Sequence, residues 1–212
     1  APGLSGATLR IFYSFMVPIV GGRRFTALAT ASLLLPALGI GFAVQDPHTP
    51  YELMVGLALL CGLGGGNFAS SMAHISYFYP SARKGYALGL NAGLGHLGVS
   101  IVQLAVPLAI GSGLFGVLGG LPQTTAQGPM WLQNAFWVYV PLLLLLGVLC
   151  WTWLRSVPVR VGFRDQLDIF KNKHTWFCTL TYLMTFGSFS GLSAAFPLLI
   201  KTVYGKFEDA PD

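Results

Sequence analysis

The sequence predicts an all-α, polytopic membrane protein from its composition, its long apolar runs and the placement of its basic residues. Of the 212 residues, 54% are hydrophobic and only 9% are charged, and the mean hydropathy is +0.65. Soluble domains carry about 25% charged residues. This composition excludes a water-soluble globule. Most of the basic residues lie in short connectors, and they form no clustered patch of the kind that binds nucleic acid.

Six apolar runs are each long enough to cross about 30 Å of hydrocarbon at about 1.5 Å per residue. The connectors between them hold turn-forming residues, as in Gly21-Gly22-Arg23-Arg24. The predicted spans are residues 1–20, 25–45, 53–79, 85–111, 130–154 and 175–200.

The basic residues predict how these spans are oriented. Nine of the 12 Lys and Arg residues lie in the connectors after spans one, three and five. Positively charged loops stay in the cytoplasm, so the first span is expected to run from outside to inside. A complete protein of this topology would have one more span before Ala1.

The connector 155–173 is longer than the others and separates a block of five spans from the last span. In it, Phe163, Leu167 and Phe170 share one helical face opposite charged residues, as in a helix that lies in the membrane interface. A solvated linker fits the composition equally well. Either structure would act as a hinge between the two blocks.

Arg10 is the most informative residue, because it lies inside the first span. An ionised Arg at that depth costs at least about 2.5–3.5 kcal/mol and normally marks a ligand site or a pathway. No Asp or Glu lies inside any of the six spans, Glu52 being at an edge. We therefore expect Arg10 to face a polar cavity that receives an anion. The lack of an intramembrane carboxylate favours anion exchange over carboxylate-based proton symport.

Glycines are concentrated in spans three and four. Small residues at a spacing of four let membrane helices approach closely and rock against each other. The pattern predicts helix packing or gating and indicates no particular substrate. The glycines concerned are Gly64, Gly65, Gly85, Gly89, Gly93, Gly95 and Gly98.

Aromatic and polar side chains share helical faces in spans three, four and six. Taken singly, each aromatic residue is explained by ordinary packing. Together with an intramembrane Arg, they suit a small planar anion, whose charge meets a guanidinium while its faces lie against rings. The candidate residues are Phe68 in span three, His96 in span four, and Tyr182 and Phe186 in span six.

His96 lies in the middle of a span, where it could donate a hydrogen bond to a substrate, carry a proton or ligate haem. A haem site needs histidines at matching depth, and His74 lies nearer the cytoplasmic end of span three. A membrane-anchored haem-binding redox subunit is nevertheless a rival from a different class. The sequence has no CxxC pair and no nucleophile with its base. We therefore expect no metal, no cofactor and no enzymatic activity.

Three runs carry the most specific motifs: 62–71 (GLGGGNFASS), 89–100 (GLNAGLGHLGVS) and 18–24 (PIVGGRR). Together they closely resemble the nitrate/nitrite porters (NarK type) of the major facilitator superfamily. Run 89–100 is similar to the first copy of that family's nitrate signature. The resemblance extends over essentially the whole chain.

The resemblance implies a major-facilitator-type bundle of twelve helices, of which this chain holds the second to the seventh. Residues 1–155 would be most of the N-terminal transmembrane bundle, 156–173 the cytoplasmic linker, and 174–212 the first helix of the C-terminal bundle. The remaining half of the same transporter chain would be its partner.

The function implied by the resemblance is transport of nitrate and nitrite, as in nitrate assimilation, across the bacterial cytoplasmic (inner) membrane. Nitrate/nitrite antiport by alternating access is the favoured mode, and proton-coupled nitrate symport is the alternative.

Matching positions imply roles for five residues. Arg10 resembles the family's substrate arginine. Phe68 and Phe186 resemble the two rings that sandwich the anion, and Tyr182 resembles its hydroxyl partner. Position 96 has Asn in the family and His in this chain, a difference that bears on selectivity and on proton coupling because histidine titrates.

Overall fold

The structure is a computed structural model that describes residues 2–115, 119–125, 128–157 and 162–204. In these residues six helical segments are long and apolar enough to cross a membrane. They coincide with the six predicted spans to within a few residues at each end, so the chain is a multi-pass membrane protein. The segments are Pro2–Val20, Gly22–Ala43, Tyr51–Phe78, Ser81–Gly111, Asn134–Trp153 and Lys173–Val203.

Three of these segments contain a short break. The second breaks at Leu33 and the fifth at Val138, each three residues before a proline. Pro36 and Pro141 lack the N–H that would bond the carbonyl four residues earlier, which explains why the helices end there. The third segment breaks at Cys61, beside the glycine run.

The elements follow from these breaks. The described helices and strands are α1 (Pro2–Val20), α2 (Gly22–Ser32), α3 (Leu34–Ala43), α4 (Tyr51–Leu60), α5 (Gly62–Phe78), α6 (Ser81–Gly111), β1 (Gln123–Thr125), β2 (Gly128–Met130), α7 (Asn134–Trp137), α8 (Tyr139–Trp153), α9 (Phe163–Gln166), a 3₁₀ turn (Leu167–Lys171) and α10 (Lys173–Tyr204).

The chain divides into two compact units, Ala1–Gly162 and Phe163–Asp212. The first unit contains α1 to α8, and the second contains α9, the 3₁₀ turn and α10. The boundary falls inside the predicted linker 156–173. The assignment of the two units to the two bundles of a transporter stays a prediction.

In the first unit, α5 is central and packs against α1, α2 and α6. Its contact with α1 is backbone to backbone. A Cβ placed on Gly62 would lie 2.6 Å from the Gly6 nitrogen, and one on Gly65 would lie 3.0 Å from Gly6 Cα. The Ser5 hydroxyl donates to the Leu59 carbonyl at 2.7 Å beside this crossing. Glycine is therefore required at Gly62 of α5, and a Cβ on Gly6 of α1 would lie 3.3 Å from the Gly62 carbonyl oxygen, as between closely packed membrane helices.

The other predicted packing glycines divide into two groups. A Cβ on Gly64 of α5 would lie 3.3 Å from Leu33. On α6, by contrast, no atom of the described chain comes within 4 Å of the Cβ position at any of five glycines. Their role in packing or gating is not realised within these residues and stays a prediction for contacts with other segments. These five are Gly85, Gly89, Gly93, Gly95 and Gly98.

A small hairpin and two buried amides organise the loop between α6 and α7. β1 pairs with β2 antiparallel, so that Gln123 faces Met130. The side chains of Gln133 and Asn134 are fully buried and hold backbone carbonyls of the loop. The acceptors are Gly119 (2.9 Å) and Leu121 (3.0 Å) for Gln133, and Ala109 (3.2 Å) and Ser112 (2.9 Å) for Asn134. The two short strands depart from the all-α prediction, which expected only a loop here.

The opposite end of the unit, predicted to be cytoplasmic, joins the α1–α2 turn to the residues after α8. Gly21 makes this turn with φ +93°, a conformation that favours glycine. The Arg23 N–H donates to the Ser156 hydroxyl at 3.0 Å. His74 is buried with Nε2 3.0 Å from the Arg155 carbonyl. Three segments distant in sequence are thereby held together.

The predicted amphipathic connector is helical, but in two short pieces, α9 and the 3₁₀ turn. Leu167 and Phe170 are both exposed, and Lys171 pairs with Asp168 at 2.7 Å. The side chain of Phe163, which completes the predicted apolar face, lies outside the described residues. A location in the membrane interface stays a prediction.

Candidate anion-binding site

Arg10 projects from α1 toward the glycine run of α5. Its Nε donates a hydrogen bond to the Gly65 carbonyl at 3.0 Å. The side chain can reach a main-chain acceptor because Gly6 and Gly65 bring the two helices into contact. This bond fixes the plane of the guanidinium, whose five donors form a rigid fork.

The ring of Phe68 lies beside this guanidinium. Arg10 Cζ is 5.4 Å from the ring centroid, within the range of a cation–π contact. Gly65 and Phe68 are three residues apart on α5 and therefore share one face of the helix. One turn of α5 thus supplies both the carbonyl and the ring that position Arg10.

His96 approaches the same ring from α6. The imidazole and the Phe68 ring meet edge to face, with centroids 6.4 Å apart and planes at 79°. His96 Nδ1 is 2.6 Å from the Ala92 carbonyl one turn earlier on α6. Three helices thus contribute to one row of side chains, Arg10, Phe68 and His96.

Small polar groups form hydrogen bonds next to Phe68 on α5 and α6. Ser71 Oγ donates to the Phe68 carbonyl at 3.0 Å, and Asn91 Nδ2 of α6 donates to Ser71 Oγ at 3.2 Å. On the other side, the fully buried Ser70 donates to Asn67 Oδ1 at 2.9 Å. Since buried polar groups need partners, this network restricts how α5 and α6 can be arranged around the ring.

In the second unit, α10 carries a row of aromatic rings. Tyr182 and Phe186 are stacked, with centroids 5.4 Å apart and planes at 15°. The ring centroid of Phe186 lies 6.4 Å from that of Phe189. The predicted pair is therefore part of one aromatic face on this helix.

Comparison with known proteins identifies the family. The model of the Major Facilitator Superfamily matches residues 1–206. The chain belongs to the major facilitator superfamily. Its six membrane-spanning segments agree with this membership, and the fold class predicted from the sequence is confirmed.

Relatives of this superfamily member are named as nitrate and nitrite carriers. It is 55% identical over its whole length to the probable nitrate/nitrite antiporter NarK2 of Thermus thermophilus, of which it covers 49%. It is 48% identical over 96% of its length to the nitrate/nitrite transporter NarU of Escherichia coli, of which it covers 44%. The resemblance to the NarK-type porters is thus confirmed. The chain spans about half the length of these relatives.

Within this superfamily chain, the structure brings together the three candidate residues of the first unit. Arg10, Phe68 and His96 lie on α1, α5 and α6 and form one row. Tyr182 and Phe186 lie one turn apart on α10 and stack. These contacts place the residues, and their roles toward a substrate are proposals.

Sequence reasoning gave no role to several residues of the site. Asn91 lies inside run 89–100, and a polar side chain in the middle of a span could have indicated that it forms a hydrogen bond with another helix. Thr30 accepts from Asn67 Nδ2 at 3.4 Å, and no spacing rule links spans two and three. Phe189 lies three residues after Phe186, so helical periodicity could have added it to the aromatic face.

The histidines do not favour a haem site. His74 Nε2 lies against the Arg155 carbonyl, and its ring packs on Phe78 at 5.0 Å. His96 instead contacts Phe68. In the described ranges, no group of three or more His, Cys, Asp and Glu could hold a metal ion.

Proposed function

We propose that the whole protein containing this chain transports nitrate and nitrite by exchange, through alternating access. The observation that carries the proposal is the row of Arg10, Phe68 and His96 inside the first unit. It places a fixed cation beside an aromatic ring within membrane-spanning helices. The names of the relatives at 48–55% identity supply the substrate class.

Arg10 is the proposed anion-binding group. Its Nε bonds to the Gly65 carbonyl, and this bond holds the plane of the guanidinium that is proposed to meet the anion. Such a planar fork matches two oxygens of a planar oxyanion. Removing water from the pair strengthens this attraction, since charges interact more strongly at low dielectric.

The aromatic residues are proposed to select a flat anion. The Phe68 ring contacts Arg10 of α1 and His96 of α6, and it is the proposed preformed wall. Phe186 and Tyr182 take the roles implied by the family resemblance, a second ring and a hydroxyl donor. Preformed walls lower the ordering cost of binding.

Exchange is favoured over carboxylate-driven symport for two reasons. The one carboxylate in the six described spans is Glu52, in the first turn of α4 at the end of its span, and no Asp or Glu lies deeper in any of them. Membrane carriers that couple to protons commonly place such a group in a span. The probable NarK2 of T. thermophilus is also named an antiporter.

The proposed location is the cytoplasmic membrane of a bacterium, and transport rather than catalysis is the proposed activity. The proposed partner is the rest of the same chain, since the relatives are about twice as long. In such carriers, the site lies near the bilayer midplane and the two halves rock around it.

The test is nitrate uptake into proteoliposomes containing the full-length protein, with or without internal nitrite and with or without a pH gradient. We expect uptake to require internal nitrite. Arg10→Ala should reduce uptake at least about tenfold, because a hydrogen bond to a charged group contributes about 1.5–3 kcal/mol. Arg83→Ala, a charge removal at an exposed position in the first turn of α6, is the matched control and should leave uptake unchanged.

Normal uptake by Arg10→Ala at normal membrane insertion would overturn the proposed site. Uptake into empty vesicles that follows the pH gradient alone would replace exchange by proton-coupled symport.

A further inference from the structure

Helix α6 is loosely packed within the described chain. Of its 31 residues, only Ala87 and Ala109 are buried there. No described atom lies within 4 Å of the Cβ positions at its glycines from Gly85 to Gly98. A smooth face does not define a register, because a helix that meets another through it can slide. The position of His96, which α6 carries beside Phe68, therefore depends on a contact of another kind.

Asn91 makes that contact with α5. Its Nδ2 donates to Ser71 Oγ at 3.2 Å and to Met72 Sδ at 3.3 Å. Both hydrogens of the amide nitrogen thus have an acceptor on the neighbouring helix. Burying an amide without its partners costs free energy, and a single Asn between helices can specify their register for that reason. The pair therefore favours the register in which Asn91 faces Ser71.

Ser71 connects this contact to the candidate anion site. Its hydroxyl donates to the Phe68 carbonyl at 3.0 Å, which leaves its oxygen lone pairs to accept from Asn91. Asn91, Ser71 and Phe68 therefore form a chain of hydrogen bonds in which each bond polarises the next. The chain ends on the main chain of the residue whose ring lies beside Arg10.

The contacts of Asn91 and of His96 with α5 lie close together along the two helices. Both helices cross the membrane and are joined by the connector 79–80, so they run in opposite directions. Phe68 lies about 4.5 Å from Ser71 along α5, and His96 lies about 7.5 Å from Asn91 along α6, at about 1.5 Å per residue. A shift of one residue at the Asn91 contact would therefore move the His96 ring by about 1.5 Å relative to the Phe68 ring.

We propose that Asn91 is a positioning residue of the anion site, which acts through Ser71 and does not touch the anion. The inference rests on the proposed function and deepens it. By fixing the register of α6 on α5, Asn91 sets where His96 stands against the Phe68 ring. It also holds α6 to the packed helices α1 and α5, so that α6 moves with the side of the site that carries Arg10.

The alternative is that Asn91 binds the anion directly, and its hydrogen bonds argue against this. Both Nδ2 hydrogens are used on Ser71 and Met72. The remaining polar atom of the side chain is an amide oxygen, which only accepts hydrogen bonds. The oxygens of nitrate and nitrite also only accept them. In this arrangement the side chain of Asn91 has no donor left for an anion.

The experiment is nitrate binding to the purified full-length protein by calorimetry, which measures the number of sites and the Kd separately. Asn91→Leu removes the donor at similar side-chain size, and Leu favours membrane insertion, so poor insertion would not explain a loss. We expect the Kd to rise about two- to tenfold, the effect of one hydrogen bond between neutral groups, at an unchanged number of sites. A merely structural role would lower the number of sites and leave the Kd of the remaining sites unchanged.

Ser71→Ala and the double variant test whether Asn91 acts through Ser71. Ser71→Ala should raise the Kd by a similar factor. The double variant should bind no more weakly than the weaker single variant, because both changes interrupt the same chain of hydrogen bonds. Ser76→Ala is the matched control, since the Ser76 hydroxyl makes the same kind of bond within α5, to the Ala73 carbonyl at 2.7 Å. It should keep the wild-type Kd.

A wild-type Kd in Asn91→Leu, with or without a loss of sites, would overturn the positioning role and leave nitrate transport intact. Single-variant effects that multiply in the double variant would do the same, because Asn91 would then act independently of Ser71. A wild-type protein that binds neither nitrate nor nitrite would overturn the proposed function and this inference together.

Discussion

The two glycine-rich helices of the first unit, α5 and α6, have opposite surroundings. On α5, a methyl group at Gly62 or Gly65 would meet the backbone of Gly6 at 2.6–3.0 Å. On α6, a methyl group at Gly85, Gly89 or Gly93 would meet no described atom within 4 Å. Runs 62–71 and 89–100 each hold four glycines, yet only α5 uses them to contact another backbone within the described chain.

The difference shows that a glycine allows close helix packing only where a residue of a neighbouring helix faces it. Gly6 of α1 completes the contact with α5, and the same crossing brings Arg10 to the Gly65 carbonyl. The α1–α5 pair is therefore the rigid wall of the candidate site. The glycine face of α6 is smooth, as a surface that slides or rocks against another helix needs to be.

Gly62→Ala is the substitution with the largest expected effect on stability. The new Cβ would lie 2.6 Å from the main-chain nitrogen of Gly6, which cannot move aside by changing a rotamer. We expect a destabilisation of about 1–3 kcal/mol, typical of overpacking. Thermal unfolding of the full-length protein in detergent measures it. Gly56→Ala, on α4 with no atom within 4 Å, is the control, and equal unfolding temperatures for the two variants would contradict the tight α1–α5 contact.

Phe68→Leu should have an intermediate effect, on binding rather than on stability. It removes the ring beside Arg10, a contact worth about 0.5–2 kcal/mol, so nitrate affinity should fall by about 2- to 30-fold. A nitrate-binding isotherm measures the change. Phe12→Leu on the exposed side of α1 should leave affinity unchanged, and an equal loss in both variants would show that Phe68 has no special role.

Gly93→Ala should have the smallest effect on folding. Its methyl group meets no described atom, and Ala in place of Gly in a helix stabilises by up to about 1 kcal/mol. The unfolding temperature should be unchanged or slightly raised. Slower transport at unchanged stability would indicate that the glycine face of α6 moves against the rest of the transporter during transport. A loss of stability as large as that of Gly62→Ala would remove the contrast between the two helices.

The spans were predictable from the sequence because hydropathy and length alone identify them. The breaks at Leu33 and Val138 had visible signals in Pro36 and Pro141, although a proline in a membrane helix does not always end it. The hairpin between α6 and α7 was not predictable, because its geometry depends on the side chain of Gln133 binding carbonyls more than ten residues away.

The candidate residues could be named from the sequence, but their contacts could not. Arg10 was identified by its charge at membrane depth, and Phe68 and His96 took their roles from a family resemblance. No spacing rule reveals that Arg10 bonds to Gly65, because the two are 55 residues apart and meet only through tertiary packing. The donor role of His96 Nδ1 likewise follows from the rotamer that brings it to the Ala92 carbonyl.

The 55-residue separation between Arg10 and Gly65 also sets an order of events during biosynthesis. At about 5–20 residues per second, Gly65 leaves the ribosome roughly 3–11 s after Arg10. Helix α1 must therefore reach the translocon before the Gly65 carbonyl of α5 is available to Arg10. The side-chain amides of Gln133 and Asn134 bond to carbonyls that precede them by only 12 to 25 residues. This loop can therefore fold soon after Asn134 is synthesised. The anion site is completed later than the insertion of the helix that carries its charge.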